Sequence, residues 1–173
     1  MSVYFCGCLH LGHKNIHKFR PWVKSTEHNT EIFLDQWHKH IDKRDVVYML
    51  GDVAFDLESL DLLSYLPGRK ILVKGNHDDI VSITEQMQVF EEIYGLLKYK
   101  GFWLSHCPIH PDEMRNRKGC IHAHVHSQSV MTSTWYGRKI LDKRYFNVCP
   151  DVVYPATGSI FTTLDQVRTY FKS

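Results

Sequence analysis

The sequence has no apolar run near the roughly 20 residues needed to cross a bilayer, so no membrane span is expected. It also has no N-terminal basic, apolar and small-residue pattern. Met1 to His10 leads straight into an apolar, strand-like segment, so no signal peptide is read and a cytoplasmic protein is expected. An excess of one charge is nearly missing. The 21 Lys and Arg stand against 19 Asp and Glu, a net charge of +2, which gives little support for a general nucleic-acid binder. It leaves room for a local basic patch. Cysteine is sparse and irregular, at positions 6, 8, 107, 120 and 149. The odd number argues against a disulfide framework, and no CxxC pair exists to build a zinc finger or ribbon. No repeat, linker or low-complexity stretch divides residues 1–173, so a single domain is expected. The 43% hydrophobic content is enough for an ordinary core.

What the sequence does have is histidine, 12 in all. Histidine is the commonest metal ligand and the usual acid–base group near neutral pH, so its placement matters. Apolar runs predict strands at Val3–Cys8, Val46–Leu50 and Ile71–Val73. Helical spacing predicts helices at Thr30–Ile41, capped by Asn29 or Thr30, at Leu57–Leu66 up to Pro67-Gly68, and at Ile83–Phe90. Further on, Phe102–Leu104, Gly119–His122, Tyr145–Val148 and Ser159–Phe161 read as short strands. A last helix spans Leu164–Phe171 with Thr163 as its cap. Alternation of strand and helix, then a strand-rich half, predicts an α/β fold: a mixed-sheet β-sandwich flanked by helices.

The polar clusters follow strands. Cys8-Leu9-His10, Gly51-Asp52, Gly75-Asn76-His77-Asp78, Ser105-His106 and His122 to His126 each come at a strand's carboxyl end, where ligands bind in open α/β sheets. Glycine precedes the key residue at Gly51 and Gly75, where the backbone must turn sharply or approach closely. Imidazoles from His10, His106, His124 and His126, the Asn76 carbonyl and a bridging Asp52 are the donors that two divalent cations need. Isolated histidines such as His17, His28, His38 and His40 read as surface or core residues. Cys6, alternating with Cys8, reads as a small core residue. His122 is either a further rim imidazole or an inward strand residue.

The succession CLHLGH, LGD, KGNHD, SH and HAHVH, from Cys8 to His126, resembles the calcineurin-like metallophosphoesterases, whose pattern is Asp-x-His, Gly-Asp, Gly-Asn-His-Asp/Glu, His and Gly-His-x-His. The flanking LPGRKILVKGNHD and NVCPD are similar to the small bacterial and phage members. The resemblance implies that family's sandwich-type α/β fold and a dinuclear centre of manganese, zinc, iron or nickel. Cys8, His10, Asp52 and His126 would hold one ion. Asp52, Asn76, His106 and His124 would hold the other. His77 would aid the leaving group as the catalytic acid, and Asp78 would orient His77. Two departures stand out. Cys8 replaces the family's first aspartate; a thiolate keeps the negative charge but is softer, favouring zinc or ferrous iron over magnesium. Ala123 replaces the usual glycine.

The function that the resemblance implies is a metal-dependent phosphoric ester hydrolase. A phosphodiesterase acting on a small nucleotide-type substrate is the favoured form, because a short chain has little material to grip a polymer. His13 resembles a substrate-side position, and Arg115 and Arg117, with Lys118, offer guanidinium and ammonium groups for phosphate. The alternatives are a nuclease of the same family, or a protein-binding scaffold with a weakened site at Cys8.

Overall fold

A computed structural model of the chain describes residues 1–172. Its elements are β1 (Val3–Cys6), α1 (Ile16–Phe19), α2 (Thr26–His40), β2 (Val46–Met49), α3 (Leu57–Leu62), β3 (Arg69–Val73), α4 (Ile83–Val89), β4 (Glu92–Tyr94), β5 (Leu97–Tyr99), β6 (Phe102–Leu104), β7 (Gly119–His122), β8 (Met131–Ser133), β9 (Lys139–Leu141), β10 (Tyr145–Asn147), α5 (Pro150–Thr157), β11 (Thr162–Thr163) and α6 (Leu164–Tyr170). It is an α/β fold with mixed sheets. No helix among the described residues is long and apolar enough to cross a membrane.

One sheet runs β11-β1-β2-β3-β4, with β1 to β4 parallel and β11 antiparallel at the edge. A second runs β10-β7-β6-β5, with β10, β7 and β6 parallel and β5 antiparallel. The near-continuous apolar text of β2 and β3 is what a strand buried on both faces requires. The period of two then divides the work. Val46, Tyr48, Ile71 and Val73 face the second sheet, where Phe102, Leu104 and Ile121 meet them. Val47, Met49 and Leu72 face the other way, against Phe33, Trp37 and Leu63 of the helical layer. Trp37 is fully buried and donates its indole N–H to the Pro67 carbonyl at 3.0 Å. Its burial contributes roughly 2–3 kcal/mol.

Several expectations need correction at their edges. α2 begins at Thr26, because the Ser25 hydroxyl caps the His28 amide at 3.1 Å. Asn29 is instead a buried helical residue whose amide reaches the Leu9 carbonyl at 3.0 Å. Ser159–Phe161 is not a strand: the Ser159 hydroxyl accepts from the Phe161 amide at 3.1 Å, a local turn that competes with sheet pairing. The strand there is only Thr162–Thr163. Thr163 does cap α6, in a reciprocal box with Gln166.

Candidate metal centre

β1, β2 and β3 of the first sheet and β6 and β7 of the second are parallel within their sheets, and the polar residues beyond their carboxyl ends meet at one place. The turns after β1, β2 and β7 are tight. Among the described residues seven non-glycine ones have positive φ, and five of them are Cys8 (50°), His10 (53°), Asp52 (53°), His124 (65°) and His126 (50°). A left-handed non-glycine residue costs about 1–3 kcal/mol and persists where the surrounding structure holds it for a purpose. Glycine makes the close approach possible. A Cβ at Gly51, where φ is +78°, would lie 2.5 Å from the Gly75 nitrogen and 2.6 Å from His106 Nδ1.

His106 shows the chemistry most clearly. It is buried, and its Nδ1–H donates to the Leu50 carbonyl at 2.8 Å. A carbonyl can only accept, so Nδ1 carries a proton. Burial alone would lower the ring's pKa, but its bonds to Asp52 and to the Leu50 carbonyl outweigh that and raise it above the ordinary value. Its Nε2 stands 3.0 Å from Asn76 Oδ1, 3.0 Å from His124 Nδ1 and 3.3 Å from Asp52 Oδ2. Four electron-rich atoms facing one another call for a proton or a cation between them. His10 gives an independent indication. Its Nε2 is buried without a hydrogen-bond partner, and burial together with the Arg20 guanidinium brings its pKa down to about 3. The ring is therefore a neutral donor with a free lone pair. Burial alone would raise the Asp52 pKa, but hydrogen bonds from His106 and from the His77 amide, at 2.9 Å, outweigh it and bring it to about 2. Asp52 is the anion at the centre of the group.

Ligand-capable atoms of Cys8, His10 and His126 lie within 4.8 Å of one another, as do those of Cys8, Asp52 and His106, and those of His106, Cys107 and His124. The residues present fit bound cations: lone pairs converge, one buried ring nitrogen is unpartnered, and a carboxylate sits between the two histidine sets. Cys107, exposed beside His106, joins by geometry alone; the sequence pattern did not mark it.

His77 is exposed at the rim, its ring 6.1 Å from that of His10 and 5.1 Å from Phe55. Asp78 has a different place from the expected one. Its carboxylate accepts from the backbone amides of Asp52 (3.0 Å), Val53 (2.9 Å) and Gly75 (2.7 Å), so it braces the two loops rather than the His77 ring. His13 reaches the rim, 6.0 Å from the His10 ring and 4.8 Å from Phe55. Arg115 and Arg117 are not brought to the cluster. They immediately precede Gly119, the start of β7, whereas the cluster lies past its other end at His122. Arg115 pairs with Glu113 at 3.5 Å, and Arg117 lies over the Trp103 ring at 5.8 Å. His122 points into the structure, 1% exposed, with burial lowering its pKa to about 4.

Two supporting residues had gone unread. Asp151 accepts from Arg20 at 3.0 Å and 3.1 Å, and its Oδ2 lies 3.2 Å from His126 Nδ1. Burial alone would raise the Asp151 pKa; the hydrogen bonds from His126 and Arg20 hold it far below the usual carboxylate range. A carboxylate behind an imidazole fixes the tautomer that leaves the other ring nitrogen free for a ligand. Arg20, 1% exposed, also donates to the carbonyl oxygens of Cys8 (2.8 Å) and Leu9 (3.4 Å), tying the first loop in place. The signal for Asp151 was its place in NVCPD; an arginine between Phe19 and Pro21 carried none.

No family model matches the chain. Over 82 residues it is 35% identical to the Gene 66 protein of Mycobacterium phage D29 and 32% identical to that of phage L5, covering 44% of this chain. These matches span only 40% of the length of each phage protein. An uncharacterized protein of Methanocaldococcus jannaschii is 28% identical over 137 residues, 75% of this chain and 72% of that one. Among solved structures, a protein of unknown function from Aquifex aeolicus superposes with a TM-score of 0.68 at 25% identity, covering 97% of this chain and 98% of the other. The nuclease MPE of Pseudomonas putida shares the fold at a TM-score of 0.50 and 16% identity, over 72% of this chain and 60% of that one.

Proposed function

We propose that this chain is a metal-dependent phosphodiester hydrolase with the calcineurin-like metallophosphoesterase fold, carrying two divalent cations at the centre described above. The observation that carries the reading is the convergence of metal-capable donor atoms at one point. His106 Nε2 faces three acceptor atoms, His10 Nε2 has no partner, and the ionised Asp52 lies between them. Cys8, His10 and His126 would hold one ion, Asn76, His106 and His124 the other, and Asp52 both. Bound there, the ions supply Lewis-acid polarisation of the phosphoryl oxygens and lower the pKa of water toward neutrality. The chain's own residues do the rest. His77 stands exposed at the rim with its ring free to give a proton to the departing oxygen. Its backbone N–H donates to Asp52 Oδ1, which fixes it relative to the ligands. Asp78 and Arg20 hold the loops rigid, so the donors are preorganised. The shared fold with a nuclease supports hydrolysis of a phosphate ester, and a small nucleotide-type diester is the substrate favoured.

The test is to strip the protein of metal and reconstitute it separately with manganese, zinc and iron. Hydrolysis of a chromogenic phosphodiester and the matching monoester is then measured beside His77→Ala. Metal-dependent turnover of the diester, abolished in His77→Ala, is the expected result. Folded protein that binds no metal sinks the reading.

A nuclease is the second reading, favoured by one feature besides the shared fold. The hairpin of β8 and β9 carries Trp135, 95% exposed, and Tyr136, 63% exposed, beside Arg138 and Lys139. Aromatics that stack on bases next to cations that meet phosphate are the elements of single-strand binding. Binding of a labelled oligonucleotide that weakens steeply with salt, and falls in Trp135→Ala, is the result that would favour it.

A further inference from the structure

A cavity of about 770 Å³ opens beside the metal centre. Its volume lies within the roughly 300–1,000 Å³ typical of pockets for small organic molecules. It meets the centre at His10, His13 and His126, and its body is apolar, walled by Ile16, Phe19, Trp22 and Pro155. The polar groups are few. Asp151 is turned to Arg20 and His126, which leaves Ser127 as the neutral one. Trp22 is held in place rather than loose: its ring lies 4.4 Å from that of Tyr154, and the Arg20 guanidinium carbon lies 5.2 Å from its centroid. Phe19, by contrast, is 69% exposed at the pocket's lip. Apart from an edge-on contact with the His13 ring at 6.0 Å, most of this phenylalanine lies outside the fold, so its apolar surface is available to a ligand.

We infer that this pocket receives a flat aromatic substituent, of nucleobase or aryl type, that stays on the phosphorus of the diester. This inference rests on the hydrolase reading of the adjoining centre. The pocket begins at the His10, His13 and His126 side, and His77 is not among its described walls. If His77 serves the departing oxygen, the group in the pocket is the one retained. An apolar, aromatic-walled space with no available carboxylate discriminates by area and stacking, so it selects aromatic over short alkyl substituents.

The experiment uses three p-nitrophenyl phosphodiesters whose retained substituent is methyl, phenyl or 5′-thymidyl, so the leaving group is constant. The protein is reconstituted with the metal that supports turnover. The expected result is kcat/KM about tenfold or more higher for the phenyl and thymidyl esters than for the methyl ester. Phe19→Ala and Trp22→Ala narrow that ratio toward one, mainly through KM. A second readout does not depend on turnover: thymidine 5′-monophosphate quenches the intrinsic fluorescence saturably in the wild type, and methyl phosphate does not. The quench disappears in Trp22→Phe. Equal kcat/KM for the three esters, with turnover intact, overturns the pocket assignment and leaves the hydrolase reading standing. If no ester is hydrolysed, the hydrolase reading falls, and the absence of a saturable quench then overturns the pocket as well.

Discussion

The backbone amide of His124 donates to Cys8 Sγ at 3.1 Å, so the sulfur is aimed into the centre by the loop that carries two candidate ligands. A hydrogen bond with Cys149, together with burial, pushes the Cys8 thiol well up, so its proton leaves only for a cation. Cys8→Ala is therefore expected to lose about half of the bound metal after reconstitution and dialysis. Cys8→Asp is expected to retain it and to shift preference from zinc toward manganese. Elemental analysis of the two variants decides this. Equal zinc content in wild type and Cys8→Ala would remove Cys8 from the ligand set.

His77 and Asp78 adjoin in sequence but are expected to fail differently. His77→Ala removes a rim group and should lower kcat by roughly 10²–10⁴ with metal content unchanged. Asp78→Ala strips three loop amides, those of Asp52, Val53 and Gly75, of their acceptor. It should cost about 2–3 kcal/mol or more of stability and lower metal content as well. Urea unfolding beside metal analysis separates the two. A destabilised His77→Ala with half its metal would mean that His77 is structural.

Asp151→Asn keeps the shape behind His126 but removes the charge that faces Arg20. The supporting carboxylate typically changes metal affinity by about 10–100-fold. A loss of that size, seen by competition with a chromogenic chelator, is expected at the site that His126 serves. An unchanged affinity would reduce Asp151 to a partner of Arg20 alone.

Much of the centre was legible because its chemistry is local. Two of the loops announce themselves by a glycine next to a donor, as in Gly51-Asp52 and Gly75-Asn76, and strand periodicity places the loops at one end of the sheets. Long-range partners gave no such signal. Arg20 reaches Asp151 across 131 positions, and nothing about a single arginine says that it will be buried. The resemblance made Asp78 the partner of His77, yet its carboxylate accepts from three backbone amides instead. α5 was missed because Pro155 lies inside it, and proline normally ends a helix; Pro150 at its first turn is the permitted position. The β8–β9 hairpin was missed because its exposed residues follow no core-facing pattern.

Gly51→Ala should be among the more damaging single substitutions. The new methyl group would meet the Gly75 nitrogen at 2.5 Å and the backbone would have to hold φ near +78°. Strain alone costs about 1–3 kcal/mol, and the clash adds to it. Urea denaturation is expected to show a loss of at least about 2 kcal/mol, with metal content reduced because His106 must move. A variant with wild-type stability would show that the loops are looser than their contacts indicate.

Asp45 makes the pH prediction, because it lies away from the metal centre. It is buried, and its carboxylate accepts from the amides of Ser2 at 2.6 Å and Asp42 at 3.0 Å, holding the start of β1 beside β2. Burial alone would raise its pKa; those two amides and the N-terminal ammonium outweigh it and hold the carboxyl below its ordinary value. The folded state therefore releases this proton more readily than the unfolded chain, where the pKa is about 3.9. Stability from Asp45 is fully present above that value and is lost as the pH falls through the lower folded one. Asp45→Asn should be less stable at neutral pH and show a shallower decline between about pH 4 and pH 2, as its titration no longer differs between the two states. Metal-free protein should be used for both, so that ligand protonation is common to the two curves. Parallel acid limbs for wild type and variant would mean that Asp45 is not held below its ordinary pKa in the folded state.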